Sequence, residues 1–181
     1  MSKHVVLLRG VNLGRRNRIA MPELRVCLEE GGFEDVSTYV QSGNVLLSSR
    51  YAPGRVGREA NTLIRNRFGI DVAVLVRSRD EISEVIRRNP LADVAIDPRR
   101  YIVTFLSTEL PPGFADDLRS VAGRQPFSVI GREVYSWHPD GVGRSPLFEK
   151  LARKDLRIDG TSRNWATVTA LLEMADASTS R

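Results

Sequence analysis

Val36-Ser37-Thr38-Tyr39-Val40-Gln41-Ser42-Gly43-Asn44-Val45-Leu46-Leu47 reads as two strands around a tight reversal. Val36 to Gln41 is rich in β-branched and aromatic residues, Gly43-Asn44 is a turn pair, and Val45 to Leu47 resumes an apolar run. Upstream, Val5-Val6-Leu7-Leu8 has the unbroken apolar character of a strand buried on both faces. A helix from about Pro22 to Glu30 separates it from the hairpin. Pro22 suits the first helical position, Gly31-Gly32 supply the stop, and Leu24, Cys27 and Leu28 make the apolar stripe. Downstream, Gly57 to Phe68 is predicted helical, with Ala60, Leu63, Ile64 and Phe68 on one face and Gly69 ending it. Val72 to Arg77 is a fourth strand.

The order is β-α-β-β-α-β, the ferredoxin-like arrangement. A connecting helix follows. Ser78 and Glu81 form a capping box, Asn89-Pro90 marks the end, and Ile82, Val85 and Ile86 are its apolar positions. The second half repeats the pattern in outline. Tyr101 to Leu106 is a strand and Phe114 to Val121 a helix. Phe127 to Ile130 and Val134 to Trp137 form a hairpin across Gly131-Arg132, and Leu147 to Leu156 is helical. No final strand is evident. Ser162 reads instead as the N-cap of a C-terminal helix, Trp165 to Ala175. The expected fold class is therefore α+β: two ferredoxin-like (βαββαβ) subdomains packed together, the second degenerate, with a C-terminal helix. The expected division is residues 1–77, a connecting helix and linker at 78–99, a second subdomain at 100–176, and a frayed tail at 177–181.

Composition narrows the setting. Hydrophobic residues are 41% of the 181 and charged residues 27%, ordinary for a globular protein. No apolar run of about 18 residues is present, as a membrane span would need. The single cysteine, Cys27, excludes an intramolecular disulfide and reads as core packing. A cytoplasmic protein is expected. The net charge of +5 points to anionic partners, but the basic residues are scattered along the chain, and arginine outnumbers lysine 24 to 3.

Familiar catalytic signatures are missing. His4 and His138 stand far apart, and no zinc pattern, nucleotide-binding glycine loop or nucleophile elbow occurs. What remains is polar loops. The segment Gly10 to Ala20 carries Asn12, Gly14, Arg15, Arg16, Asn17 and Arg18 and ends at a helix N-terminus, the composition of an anion site. Gln41-Ser42-Gly43-Asn44 supplies turn residues that would reach Arg9 if the hairpin lay beside the end of the first strand. Pro139-Asp140-Gly141-Val142-Gly143-Arg144-Ser145-Pro146 reads as a turn and helix start, with an anion-binding alternative. Arg163-Asn164 falls in the predicted first turn of the last helix, where an arginine opposes the helix dipole unless an anion or carboxylate meets it. Tyr101, Phe105, Tyr135 and Trp137 fall on central strands, as core or as a base-stacking platform.

The chain resembles domain-of-unknown-function family 1697, a bacterial family. The resemblance is carried by Leu8-Arg9-Gly10-Val11-Asn12, Met21-x-x-Leu24, Tyr39-Val40-Gln41-Ser42-Gly43-Asn44-Val45, Phe68-Gly69-Ile70, Val76-Arg77-Ser78, Pro139-Asp140-Gly141-x-Gly143-Arg144-Ser145 and Arg163-Asn164-Trp165-x-Thr167-Val168. It implies two packed ferredoxin-like subdomains and no established activity. Its shared polar positions map onto Arg9, Asn12, Gly14, Gln41, Ser42, Asn44, Arg163, Asn164 and Thr167. The family pattern has a glycine and a lysine where Arg15 and Arg16 stand, and lysine at Ala20 and Pro146.

The leading functional expectation is a binding protein for a phosphate-bearing small molecule or nucleotide. Its site is Arg9, Gly10, Asn12, Gly14, Gln41, Ser42, Gly43, Asn44, Arg163 and Asn164, with no metal and no cofactor. A nucleic-acid-binding module built on the four aromatics is the first alternative. An enzyme of unassigned reaction using the same polar cluster is the second. No membrane partner is expected.

Overall fold

The computed structural model describes residues 1–153 and 158–177. The chain divides into two compact units, Met1–Glu84 with the chain from Ala170 onward, and Val85–Thr169.

The first unit contains β1 (Ser2–Leu8), α1 (Met21–Glu30), β2 (Glu34–Tyr39), β3 (Asn44–Ser49), α2 (Pro53–Phe68) and β4 (Val74–Ser78), followed by α3 (Arg79–Arg88). The sheet order is β2-β3-β1-β4, with every neighbour antiparallel. β1 is therefore central, which explains its apolar run: Val5, Val6, Leu7 and Leu8 are all buried. Side chains alternate along a strand. Val6 and Leu8 join Val45, Leu47 and Val76 against Leu24 and Leu28 of α1 and Val56, Ala60 and Ile64 of α2. α2 starts at Pro53, four residues before the expected Gly57, because proline suits the first turn. The predicted capping box opens α3: Ser78 N–H donates to the Glu81 carboxylate at 2.7 Å, and Glu81 N–H donates to Ser78 Oγ at 3.1 Å.

β2 is shorter at its end than Val36 to Gln41 suggests. It bulges between Glu34 and Ser37, where Asp35 takes φ +51° and accepts from Ser48 Oγ at 2.8 Å. It ends at Tyr39, since Val40 turns left-handed, φ +49°, with its side chain 54% exposed. A β-branched residue in that region is strained. Val40→Gly is expected to raise stability by about 1 kcal/mol, read as a higher melting temperature. A lower one would mean that the valine side chain holds the turn.

The second unit contains β5 (Tyr101–Leu106), α4 (Phe114–Ala122), β6 (Phe127–Ile130), β7 (Glu133–Trp137), α5 (Pro146–Ala152) and β8 (Gly160–Asn164), with α6 (Trp165–Ala177) directly after. Its sheet order is β6-β7-β5-β8, again antiparallel. The repeat is thus complete rather than degenerate. β8 pairs along β5 from Ile102 opposite Asn164 to Leu106 opposite Gly160. It lies at a sheet edge, so it needs one partner and no apolar alternation. A cross-strand hydroxyl pair, Thr104 Oγ1 with Ser162 Oγ at 2.8 Å, supports it instead. α5 ends at Ala152, and the last residues of the expected Leu147 to Leu156 helix lie outside the described residues. α6 runs on to Ala177, the first residue of the expected frayed tail, and Arg79 Nε donates to the Asp176 carboxylate at 2.7 Å.

Candidate functional site

Eight of the ten predicted site residues gather at the end of β1. Leu8 N–H donates to Gly43 C=O and Arg9 N–H to Ala73 C=O, both at 2.9 Å, so the β2–β3 turn lies directly beside the start of the polar loop. A Cβ on Gly43 would sit 2.5 Å from Val11 Cγ2 and 2.8 Å from Leu8 Cβ, so only glycine permits this approach. Asn12 clamps the two loops together. Its Nδ2 donates to Ile19 C=O at 2.9 Å and Gln41 C=O at 2.8 Å, and its Oδ1 accepts from Ile19 N–H at 2.9 Å. Asn44 does the same within the turn, donating from Nδ2 to Tyr39 C=O and Ser42 Oγ, both at 3.1 Å, from a fully buried position. These two asparagines shape the site from within rather than facing a ligand with free polar groups. Left-handed φ values at Gly10, Asn12, Gly14, Asn17, Val40 and Gly43 bend both loops tightly.

The folded loop borders an open cavity of about 550 Å³, lined by Asn12, Gly14, Arg18, Ile19, Ala20 and Gln41. This is within the size range of small-molecule sites. α1 begins at its edge. Ala20 occupies the N-cap position and makes no side-chain capping bond, so the helix's leading N–H groups lack the usual polar side chain. Among the described residues, Arg15, Arg16 and Arg18 make no hydrogen bond or ion pair. Arg9 is half-buried, unlike the exposed Arg18.

Arg163 and Asn164 lie in the second unit and in β8, not in the first turn of a helix. Arg163 therefore does not oppose a helix dipole. Its Nη1 donates to Thr161 Oγ1 at 2.8 Å and to Ser162 C=O at 2.9 Å. Burial pulls the guanidinium down to about 10, which leaves it charged at neutral pH. The capping role expected of Ser162 falls to Asn164, whose Oδ1 accepts from Thr167 N–H at 2.9 Å. The four aromatics are interior: Tyr101, Phe105 and Tyr135 are at most 2% exposed and Trp137 is 8%. Tyr101 stacks on Trp165 with centroids 4.6 Å apart. No surface remains on which they could stack bases.

A polar network that sequence spacing does not reveal lies under the loop at 139–146. Gln125 Nε2 donates to Trp137 C=O at 2.8 Å and meets His138 Nδ1 at 2.7 Å. An amide nitrogen only donates, so Nδ1 accepts and the proton sits on Nε2, which donates to Ser136 Oγ at 2.8 Å. Ser145 Oγ donates to Gln125 Oε1 at 2.9 Å and accepts from Phe148 N–H at 3.1 Å as the N-cap of α5. Burial pushes the His138 imidazole down to about 4. This tautomer presents Ser136 with a donor, the wrong polarity for a general base, and Ser136 is fully buried. The group is a brace.

Residues 1–135 match the family described as protein of unknown function (DUF1697). The chain belongs to that family. No curated protein matches it. Among solved structures it is similar to the conserved bacterial protein SP0830 from Streptococcus pneumoniae, with TM-score 0.70 and 20% identity over 96% of this chain and 98% of that one. At that identity the likeness is one of fold. In this DUF1697 chain the remaining reactive groups are quiet. Cys27 is buried in α1, its thiol 3.6 Å from Leu63 C=O, and burial pushes the thiol up. Among the described residues no three His, Cys, Asp or Glu gather as metal ligands, and no helix is long and apolar enough to cross a membrane.

Proposed function

We propose that this DUF1697 protein binds a phosphate-bearing small molecule in the first-unit cavity. The observation that carries the reading is the uncapped start of α1 at Ala20, opening on a cavity that also holds the free guanidinium of Arg18. Helix N-terminal amides and a guanidinium are both anion donors. Pro22 has no N–H and Leu24 N–H already meets Ala20 C=O, so with alanine in the capping position it is the Met21 and Glu23 amides that are left to a ligand. Gln41, exposed on the facing turn, adds an orienting amide. Asn12, Gly43 and Asn44 hold the loops that form the cavity, and Arg9 precedes the loop without lining it.

A thermal-shift panel of inorganic phosphate, sugar phosphates, nucleotides and short oligonucleotides, at low and moderate salt, tests the reading. One small phosphate compound is expected to raise the melting temperature in a salt-tolerant way. At about 100 times its dissociation constant a ligand adds about 2.7 kcal/mol. Arg18→Ala and Gln41→Ala are expected to remove most of that shift while melting like the parent without ligand. An undiminished shift in both variants rejects this site. A shift from oligonucleotides alone, fading with salt, favours nucleic acid instead.

A further inference from the structure

We propose that the second unit carries a separate site, a cavity that takes a phosphorylated polyol, its phosphoryl group held by Arg124 and Arg144 and a hydroxyl accepted by Asp140. The cavity measures about 930 Å³, room for a sugar phosphate with its hydration. Its inner wall is the brace described above, Gln125, His138 and Ser145. Every member of that wall has its hydrogen bonds directed by its neighbours, so the surface is formed before a ligand arrives and little ordering entropy opposes binding.

The rim differs in kind. Arg124, Asp140 and Arg144 are exposed and line the same cavity, yet among the described residues none makes a hydrogen bond or ion pair, even with one another. Some surface arginines of this chain do find acids, Arg67 with Glu30 at 3.0 Å, Arg79 with Asp176 at 2.7 Å and Arg119 with Asp116 at 2.7 Å, whereas Arg124 and Arg144, like Arg18 at the first-unit cavity, keep their donors open. Two unpaired guanidiniums lining one cavity supply the positive charge and the forked donors that a phosphoryl group takes. Asp140 sets the rest of the specificity. An ionised carboxylate accepts from a hydroxyl and repels a second phosphoryl group, which selects a monophosphate of a polyol over a polyphosphate.

The proposal is independent of the first-unit site, and nuclear magnetic resonance separates the two. Amide spectra of the full chain are followed during titration with ribose 5-phosphate, ribose and inorganic phosphate, each to millimolar concentration. Ribose 5-phosphate is expected to shift the Gly143 and Ser145 amides and the Gln125 side-chain amide, and ribose to leave them in place. Inorganic phosphate is expected to act on the same signals about tenfold more weakly. The double variant R124A/R144A, altered at exposed positions, is expected to keep its spectrum and lose these shifts. D140N is expected to bring ribose 5-phosphate down to the affinity of inorganic phosphate. Shifts that persist in R124A/R144A, or equal affinity for ribose 5-phosphate and inorganic phosphate in the parent chain, overturn the proposal. Shifts confined to Gly14 and Ile19 overturn it too, while supporting the first-unit site.

Discussion

Gly43→Ala is expected to lower the melting temperature by about 10 °C, the consequence of about 3 kcal/mol at this chain length. Two independent costs combine. The residue has φ +72°, where a Cβ costs about 1 to 2 kcal/mol. The added methyl would also fall 2.5 Å from Val11 Cγ2 and 2.8 Å from Leu8 Cβ. Both neighbours are buried, at 2% and 1% exposure, so neither can swing into solvent, and overpacking of this kind costs about 1 to 3 kcal/mol. Gly10→Ala is the internal control. Gly10 also has positive φ, at +67°, but a Cβ there meets nothing within 4 Å. It should lose only the backbone share, about half of the Gly43 effect. Calorimetry on the two variants separates strain from collision, and equal losses would show that the turn does not press on Leu8 and Val11. The result bears on function because that contact positions Gln41 over the cavity.

What could be read in advance followed the physics of each element. β5 and β6 were legible residue for residue, since their apolar and aromatic runs are bounded by turn signals. The capping box at Ser78 and Glu81 was legible because it is a local motif whose partners lie three residues apart. β8 was not. Gly160 to Asn164 has no apolar residue, and its stability comes from pairing with β5 and from the Thr104–Ser162 bond across 58 positions, which no local window contains. For the same reason the local pattern around Arg163 reads as helical. The site divided along similar lines. The grouping of Arg9, Asn12 and Gln41 to Asn44 followed once the hairpin lay beside β1, and Gly43 marked the place. The roles did not follow: Asn12 and Asn44 have side chains turned inward to backbone carbonyls, and a sequence shows polarity without showing where it is spent. The brace of Gln125, His138 and Ser145 was invisible, because three residues spaced 13 and 7 apart share no periodicity and meet only through the β6–β7 hairpin and the start of α5.

Stability should fall steeply between pH 6.5 and about 4, earlier than carboxylate protonation alone would bring it down. The sign follows from the two histidines. His138 is 1% exposed and held neutral, burial taking it from 6.5 to about 4. His4 is 2% exposed, neither ring nitrogen makes a hydrogen bond among the described residues, and burial lowers it as well, against weaker opposing influences from the Ser49 and Tyr51 backbone and Glu81. In that window the unfolded chain binds protons that the folded chain refuses, so protons drain stability as pH falls, and the loss fades out above 6.5. The His138 share amounts to about 2 to 3 kcal/mol once pH reaches 4. Asp176 titrates later. Its hydrogen bond from Arg79 keeps it below the ordinary carboxylate range, so its contribution survives until more acid conditions. Melting temperatures measured from pH 8 to pH 4 check the curve, and His4→Leu assigns part of it. Leucine fills the site without a titrating group. The variant should match the parent closely near pH 8 and exceed it increasingly below pH 6. A variant curve parallel to that of the parent would place the acid sensitivity elsewhere, leaving His138 and its brace to account for the whole window.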